Sequence, residues 1–371
     1  MPVTEFRRGY RSAVYFSRAQ RIMRAEQPNK VVTMQVFQRE DDTVVCGVDE
    51  AIAILKTCSG EYRDQQEAEY WFDMYMEERR RRPVDLEYKL DLLWAPAWEE
   101  LEVSALHDGD TVHPWEPVML IKGRYSQFAH LESLYLGALA RGSKVATNSR
   151  RVCEAANGKP VLFFADRFDH YATQGNDGYA AKVGGCTGFA TDAMGAYWGE
   201  PGVGTMPHAL IASYDGDVVE AARAFQRQVP GVPLIALVDF NNDCVGDSVR
   251  CLKAFGKDLF AVRLDTSGNM VDKSLTDPIY AGSKKLGVCP LLVHSVRKAL
   301  DAHCGQHVKI VVSGGFNPER ITAFEKDGVP VDSYAVGSSL LKGSIDFTAD
   351  IVEPVAKEGR WLRDTSRLER V

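Results

Sequence analysis

The sequence predicts an α/β protein in which a truncated, irregular βα barrel is joined to a second, smaller domain, and three observations carry that expectation. From about 160 to 340 one theme recurs: a short apolar run, a cluster of Gly, Asp, Arg or Ser, then a helical pattern, which reads as successive βα units. Six such runs are present, too few for a complete eight-stranded barrel. The first hundred or so residues instead mix helical and strand patterns and end in a turn-rich stretch, HDGDTVHPWEPVMLIKG, at 107–123.

In chain order, SRAQRIMRAEQ near the start reads as a helix. The run Arg79 to Arg82 follows Glu77 and Glu78 and stops at Pro83, so it reads as the solvated end of a helix rather than an interaction patch. The turn Asp108-Gly109-Asp110 between apolar segments reads as a hairpin. His107 and His113 beside it are metal-ligand types, but two histidines six apart at a turn read as surface residues, because a metal site needs a wider constellation. The six strand runs are VLFFA (161–165), GVGTM (202–206), PLIALV (233–238), FAVRL (260–264), KIVVS (309–313) and YAV (334–336). Helix starts follow them: Asp217 with Glu220 three residues on forms a capping box, and Asn317 precedes Pro318 at a first helical position. These signals fix the strand direction and put every polar cluster at a carboxyl end, where barrel enzymes place their chemistry. The domains expected are 1–118, a barrel over 119–345, and a segment 346–371 packing back on the first domain.

Composition narrows the class. The 371 residues are 45% hydrophobic and 26% charged, ordinary globular usage. No apolar run reaches 18 residues and the N-terminus lacks a signal-peptide core, so a cytoplasmic protein with no membrane contact is expected. Eight cysteines, scattered without a CxxC pair, read as reduced core thiols. A net charge of −7 argues against a nucleic-acid surface, so an anionic substrate must meet local arginines.

The strand ends hold Arg167, His208, Asp239, Arg263 with Asp265, Ser313-Gly314-Gly315 and Gly337-Ser338-Ser339. Asp239 and Asp265 on neighbouring strand ends suit Mg²⁺ that is itself bound to substrate phosphates. The alternative is that each aspartate caps the turn or helix that follows it. In SGGFNPER and VGSSL, glycine lets backbone approach a ligand, and the following helix offers free N–H groups to a phosphate. His208, past GVGTMP, reads either as a buried core histidine or as an acid, base or phosphoryl acceptor, and its place beside phosphate-binding groups favours the second.

With these motifs assembled, the chain resembles the type II phosphoribosyltransferases, and within them the nicotinate phosphoribosyltransferases. The resemblance covers nearly the whole chain and lies in motif order: VYFSRAQRIM, FFADRF, GGCTGFATDAMG, GTMPHALI, LVDFNND, VRLDTSG, VVSGGFNPERI and YAVGSSL. It implies an N-terminal α/β sandwich with a hammerhead-like hairpin, matching DGDTVHPWEP. It implies that Phe164 stacks on the pyridine, with Tyr15 of the partner subunit on the other face, and that Arg167 meets the nicotinate carboxylate. Asp239 and Asp265 serve the metal, pyrophosphate and ribose hydroxyls, and Arg263 the phosphates. Thr205 and Ser313 join the substrate contacts, while Gly314, Gly315, Gly337 and Ser338 bind the 5′-phosphate. His208 matches the histidine that ATP phosphorylates. Nicotinate, phosphoribosyl pyrophosphate and ATP are the implied substrates, Mg²⁺ the implied cofactor, and a homodimer or multiple of dimers the implied assembly. Three positions depart from the family pattern: Ala13 replaces an aspartate, an Arg-Arg pair is reduced to Arg167 followed by Phe168, and Ala209 replaces a serine.

Within the class, quinolinate enzymes are shorter and do not need the phosphorylated histidine, so length and His208 favour nicotinate. Nicotinamide use would favour an acidic group where Ala190 or Thr191 stands, with Asp192 nearby. A reading of a different kind is a non-catalytic sensor of phosphate ligands on the same barrel, for which loss of Asp239 or Asp265 would speak; both are present.

Overall fold

Apolar runs bounded by glycine and charged residues become the strands of a parallel sheet in the second half of the chain. The computed structural model describes residues 1–81 and 86–371, without the side chains of 80 and 81, and divides into two units, Met1–Thr147 with Gly343–Val371, and Asn148–Lys342.

In the second unit the strands are β1 (Val161–Phe163), β2 (Gly188–Phe189), β3 (Leu234–Leu237), β4 (Leu259–Leu264), β5 (Lys309–Val312) and β6 (Ser333–Val336). They pair in the order β3-β4-β5-β6-β1-β2, every neighbour parallel. Sequential βα units wound into a barrel give a circular order; this is that circle cut between β2 and β3, an open and truncated barrel. One face carries Ala261, Val311 and Ala335 with Leu162, Phe164 and Ile235 packed against them, while alternate positions such as Val262, Ile310 and Tyr334 are buried on the other face. Burial on both faces is why these runs read as continuously apolar rather than alternating.

Five of the six expected runs form strands; GVGTM does not. Residues 201–207 have no regular structure, and only Val203 N–H bonds the neighbouring strand, donating to the Phe189 carbonyl at 2.6 Å. Pro201 and Pro207 bracket the segment and cannot donate to a ladder, and its two glycines lose more entropy on ordering than any other residue. The strand in its place, β2, is two residues long inside GGCTGFATD, too short for periodicity to reveal. The helix starts are as expected: Asp217 accepts from the Val219 and Glu220 N–H groups at 3.0 and 3.3 Å, and Asn317 accepts from Arg320 N–H at 2.9 Å with Pro318 leading the helix.

The first unit is an antiparallel sheet in the order Thr348–Glu353, Val31–Phe37, Pro117–Arg124, Glu102–Ala105, Glu369–Arg370. Val32, Met34, Val36 and Ile121 face a core shared with Ile54 and Leu55 of the helix Val48–Cys58 and Tyr135 and Leu139 of the helix Glu132–Ala155. Pro117–Arg124 is the middle strand and Tyr135 and Leu139 are core residues, so the units divide at 147/148 rather than at 118/119. The helix expected near the start is Val14–Glu26, preceded by a short helix Val3–Arg7.

Two local expectations are corrected. Residues 107–110 do turn, with Asp110 N–H donating to the His107 carbonyl at 3.1 Å, but the strands around them close a wide hairpin rather than a tight one. Glu102–Ala105 pairs with Pro117–Arg124, whereas Thr111–Val112 pairs with Thr43–Val44. Asp108 instead accepts from Val48 N–H at 2.8 Å and supplies the cap that Gly47, lacking a side chain, cannot give its helix. The arginine run is also more than a solvated end: Arg79, in the helix Gln65–Arg81, pairs with the buried Glu5, which Arg11 also meets at 2.5 Å. Arg82 and Pro83 lie outside the described residues. His107 and His113 do not converge, since each meets a different exposed carboxylate, Glu369 at 3.1 Å and Asp41 at 2.6 Å. Among the described residues no helix is long and apolar enough to cross a membrane.

Glu132, at the start of its helix, is 8% exposed. Burial pushes its carboxyl up to about 8, and the Asp350 carboxylate adds to the rise. Its folded value therefore exceeds the unfolded one, so its contribution to stability is complete below about pH 4.3 and is lost as pH rises through about 8. Glu132→Gln, neutral throughout, is expected to flatten the fall in melting temperature between acid and mildly alkaline pH. Melting curves across that range check this, and parallel wild-type and variant profiles would refute it.

Candidate functional site at the strand ends

Arg263 lies near the end of β4, two residues after buried Ala261 and on the same face of the sheet, so its side chain enters the barrel mouth. Its side chain is 17% exposed and its guanidinium makes three directed bonds: Nε to Ser313 Oγ at 2.9 Å, Nη1 to Thr205 Oγ1 at 3.1 Å and Nη2 to Asp265 Oδ2 at 3.1 Å. It also lies 5.5 Å from the centre of the Phe164 ring. Ser313 donates its hydroxyl to Asp265 Oδ1 at 2.7 Å. Thus Thr205, Arg263, Asp265, Ser313 and Phe164, named separately in the sequence, form one contiguous group.

A second pair stands beside it. His208 opens the short helix His208–Ala212, and its Nε2 is 3.1 Å from both carboxylate oxygens of Asp239, just past β3. The carboxylate is 7% exposed and the imidazole 45%. Burial pushes the Asp239 carboxyl above the usual range; the facing histidine pulls it back, and the Asp265 carboxylate raises it again. The two aspartates therefore feel one another's charge. His208 is not a buried core histidine: its Nδ1 meets no protein group among the described residues.

Capping does not explain either aspartate. The helix after β3 is capped by Asp243, which accepts from Gly246 N–H at 3.0 Å, while buried Asp272 accepts from Cys244 N–H at 2.9 Å. The helix after β4 starts at Pro290 with Cys289 before it and no side-chain cap. Asp239 and Asp265 are left for the site.

The two glycine segments supply donors. Gly314 and Gly315 have φ of +89° and +70°, a left-handed backbone that glycine adopts without penalty. The N–H groups of Gly314, Gly315, Gly337 and Ser338 donate to no protein group among the described residues. Arg320 fixes the first segment from behind: Nη1 donates to the Gly314 carbonyl at 2.7 Å, Nη2 to the Val288 carbonyl at 2.5 Å, and the guanidinium lies 4.0 Å from the Phe316 ring centre. Unused N–H groups in such a turn form an anion-binding concavity. At Gly337 a Cβ would stand 2.5 Å from Phe168 Cε2 and 2.8 Å from the Phe164 carbonyl oxygen, so glycine is required by contact.

Two predicted residues are not gathered in. Arg167 is exposed, with its guanidinium 5.7 Å from the Phe168 ring centre. Tyr15 belongs to the first unit, where it is exposed and its ring lies 4.3 Å from that of Phe16. Phe168 and Arg320 were not anticipated as site-shaping residues. A basic residue in the first turn of a helix, against the dipole, was the available signal for Arg320; nothing in the sequence signals the packing of Phe168 on Gly337.

No family model matches the chain. The nicotinate phosphoribosyltransferase pncB1 of Mycobacterium tuberculosis is 30% identical over 259 residues, which cover 68% of this chain and 52% of that protein. The chain thus spans about half the length of the curated relatives it matches. Among solved structures, nicotinate-nucleotide pyrophosphorylase from Pyrococcus furiosus is 30% identical with a TM-score of 0.74, covering 96% of this chain and 79% of that one. Human nicotinic acid phosphoribosyltransferase, 17% identical, shares the fold with a TM-score of 0.63 over 95% of this chain and 76% of that one. With its open barrel, its strand-end carboxylates and a relative of this similarity along most of both chains, the protein belongs to the type II phosphoribosyltransferase family.

Proposed function

We propose that the chain joins nicotinate to the ribose of phosphoribosyl pyrophosphate, giving nicotinate mononucleotide and pyrophosphate, with ATP as co-substrate. The observation that carries this is the coupling of one guanidinium, two carboxylates and a histidine to unpaired backbone donors at one end of the sheet. Names of relatives point the same way.

Displacing pyrophosphate from ribose C1 passes through an oxocarbenium-like state, so a leaving polyanion must be neutralised and a ring nitrogen aimed at C1. In this reading Arg263 and Thr205 hold the diphosphate, Ser313 and Asp265 hold Arg263 in place and meet ribose hydroxyls, and Gly314, Gly315, Gly337 and Ser338 donate to the 5′-phosphate. Phe164 presents its face to the pyridine, a stack worth on the order of 1–3 kcal/mol by analogy with bases on aromatic side chains. Asp239 and Asp265 fit Mg²⁺: both are oxygen donors and each raises the energy of the other's charge, a repulsion a divalent cation relieves. Bound there with substrate phosphates, Mg²⁺ would supply neutralisation of the leaving group.

His208 is assigned as the acceptor of the γ-phosphoryl group of ATP. Because Nε2 faces Asp239, Nδ1 is the nitrogen left to form the N–P bond. The added dianion would alter substrate affinity and so couple ATP hydrolysis to synthesis. Incubation with γ-labelled ATP is expected to give an acid-labile phosphoenzyme that His208→Ala lacks, while that variant retains slow ATP-independent synthesis. Equal labelling of the variant would place the phosphoryl group elsewhere.

The proposed assembly is a homodimer or multiple of dimers in which Tyr15 of the partner subunit completes the pyridine site. Hybrids of a Tyr15→Ala subunit with an Asp265→Ala subunit should recover activity that neither variant has alone. Verified hybrids that stay inactive would overturn the shared site.

Substrate choice rests on Arg167, exposed at the rim beside Phe168. A guanidinium holds a carboxylate through two charge-assisted bonds, whereas a carboxamide offers one neutral acceptor. A single such bond, roughly 1.5–3 kcal/mol, gives about ten-fold to a hundred-fold preference for nicotinate over nicotinamide. Assays with nicotinate, nicotinamide and quinolinate test the activity itself. Arg167→Lys should raise the nicotinate KM, and Arg167→Ala should erase most of the preference; full preference in Arg167→Ala would remove it from this role.

A further inference from the structure

We propose that the opposite end of the same sheet carries a second anion site, which takes a small phosphate-bearing ligand. An open surface cavity of about 380 Å³ lies where the chain enters β4 and β5, lined by the exposed Lys253, Gly256, Lys257, His303, Cys304 and His307 with the buried Leu252. These residues precede Leu259 and Lys309, the first residues of the two strands, whereas Arg263 is next to the last residue of β4 and Asp265 and Ser313 follow the last residues of β4 and β5. The volume is in the range of small-molecule sites.

Charge selects the ligand. No carboxylate lines the cavity, although acidic residues outnumber basic ones in the chain by 51 to 44. Basic residues at helix ends have an ordinary explanation, since two helices, Cys244–Phe255 and Pro290–Ala302, finish here. Each helix end carries roughly half a negative charge, about one in sum. Two lysines already exceed that, before either histidine takes a proton. Lys253 and Lys257 make no ion pair among the described residues, so the surplus is uncompensated by protein.

The walls are held independently of any ligand. Arg297 donates to the Val308 and Gly305 carbonyls at 2.7 and 2.6 Å and pairs with Asp301, clamping the loop before β5. His307 Nε2 meets the Gly256 carbonyl at 3.1 Å and joins that loop to the turn before β4. His303 Nδ1 meets the Ala299 carbonyl at 2.9 Å. Each ring thus has one nitrogen fixed on backbone and the other without a protein partner among the described residues, and Cys304, exposed with φ of +62°, belongs to the cavity lining. A pre-formed cationic recess with flexible lysine stems at its edge matches a phosphate or phosphomonoester dianion.

Cys304 is also the reporter. The full-length protein is treated with iodoacetamide, a neutral reagent, and carbamidomethylation of Cys304 is followed by peptide mass spectrometry with orthophosphate, glycerol 2-phosphate or sodium chloride at equal ionic strength. Bound anion is expected to slow the reaction by about three-fold at twice its dissociation constant. Protection should disappear in Lys253→Gln/Lys257→Gln and in the milder Lys253→Gln, and should persist in Asp265→Asn, which alters only the other end. Protection by orthophosphate assigns a free-phosphate site; protection by glycerol 2-phosphate alone assigns a phosphomonoester site. Unchanged rates with both anions, equal slowing by sodium chloride, or undiminished protection in the lysine variants would each overturn the proposal.

Discussion

The guanidinium of Arg263 is the interaction on which the rest of the site depends. A largely enclosed arginine must be matched by acceptors, because an unpaired buried charge costs several kcal/mol. Its three nitrogens find Ser313 just past the neighbouring strand, Asp265 just past its own strand and Thr205 in the coil before His208. The last of these bonds has the longest reach. By fixing Thr205, next to the fully buried Met206, it sets where the chain emerges at Pro207 and starts the helix that carries His208 to Asp239. One side chain thereby couples the Arg263–Asp265–Ser313 group to the His208–Asp239 pair.

This arrangement is close to neutral: Arg263 balances Asp265, and Asp239, held above its usual titration range by burial, faces an imidazole able to take a proton. For the reaction proposed, a neutral, partly enclosed mouth suits a polyanion that arrives with Mg²⁺ better than a strongly positive one, since the two anionic products of that reaction must later leave. In the proposed reading, binding strength comes from directed donors, the four N–H groups of the glycine segments that meet no protein acceptor among the described residues, rather than from net charge. The overall charge of −7 is consistent with that economy of cations.

Much of this was legible in the sequence, and the failures have definite causes. Asp217 and Asn317 cap their helices as their spacing predicts, because a cap is a local interaction within three residues. The long apolar runs became strands, because burial on both faces demands continuous hydrophobicity. GVGTM failed because apolar content was read without its flanking prolines, and Gly188–Phe189 was missed because two residues carry no period. The hairpin at Asp108 is wider than the turn signal implies, because such a signal does not fix the register of the strands it joins; Asp108 also serves a helix sixty residues away. The site residues were identified singly, but their partners are set by long-range contact, so the pairing of His208 with Asp239, the role of Arg320 and the seating of Phe168 on Gly337 had no local signature.

The misread segment also explains why the barrel stays open. A βα barrel closed between β2 and β3 would place a ladder where residues 201–207 now run, and its side chains would point alternately into and out of the barrel. Thr205 would then face the interior only if Met206 faced outward, and His208 would be carried on the strand rather than past it. Two prolines limit the length of any ladder there and two glycines weaken it, while the single bond from Val203 to Phe189 covers part of the edge of β2 that an open sheet otherwise exposes. The gap in the sheet is therefore the opening through which Thr205 reaches Arg263 and His208 reaches Asp239. Closing it with a strand-forming sequence would improve the sheet and dismantle the site, which is the form in which a local departure from regular structure is expected to persist.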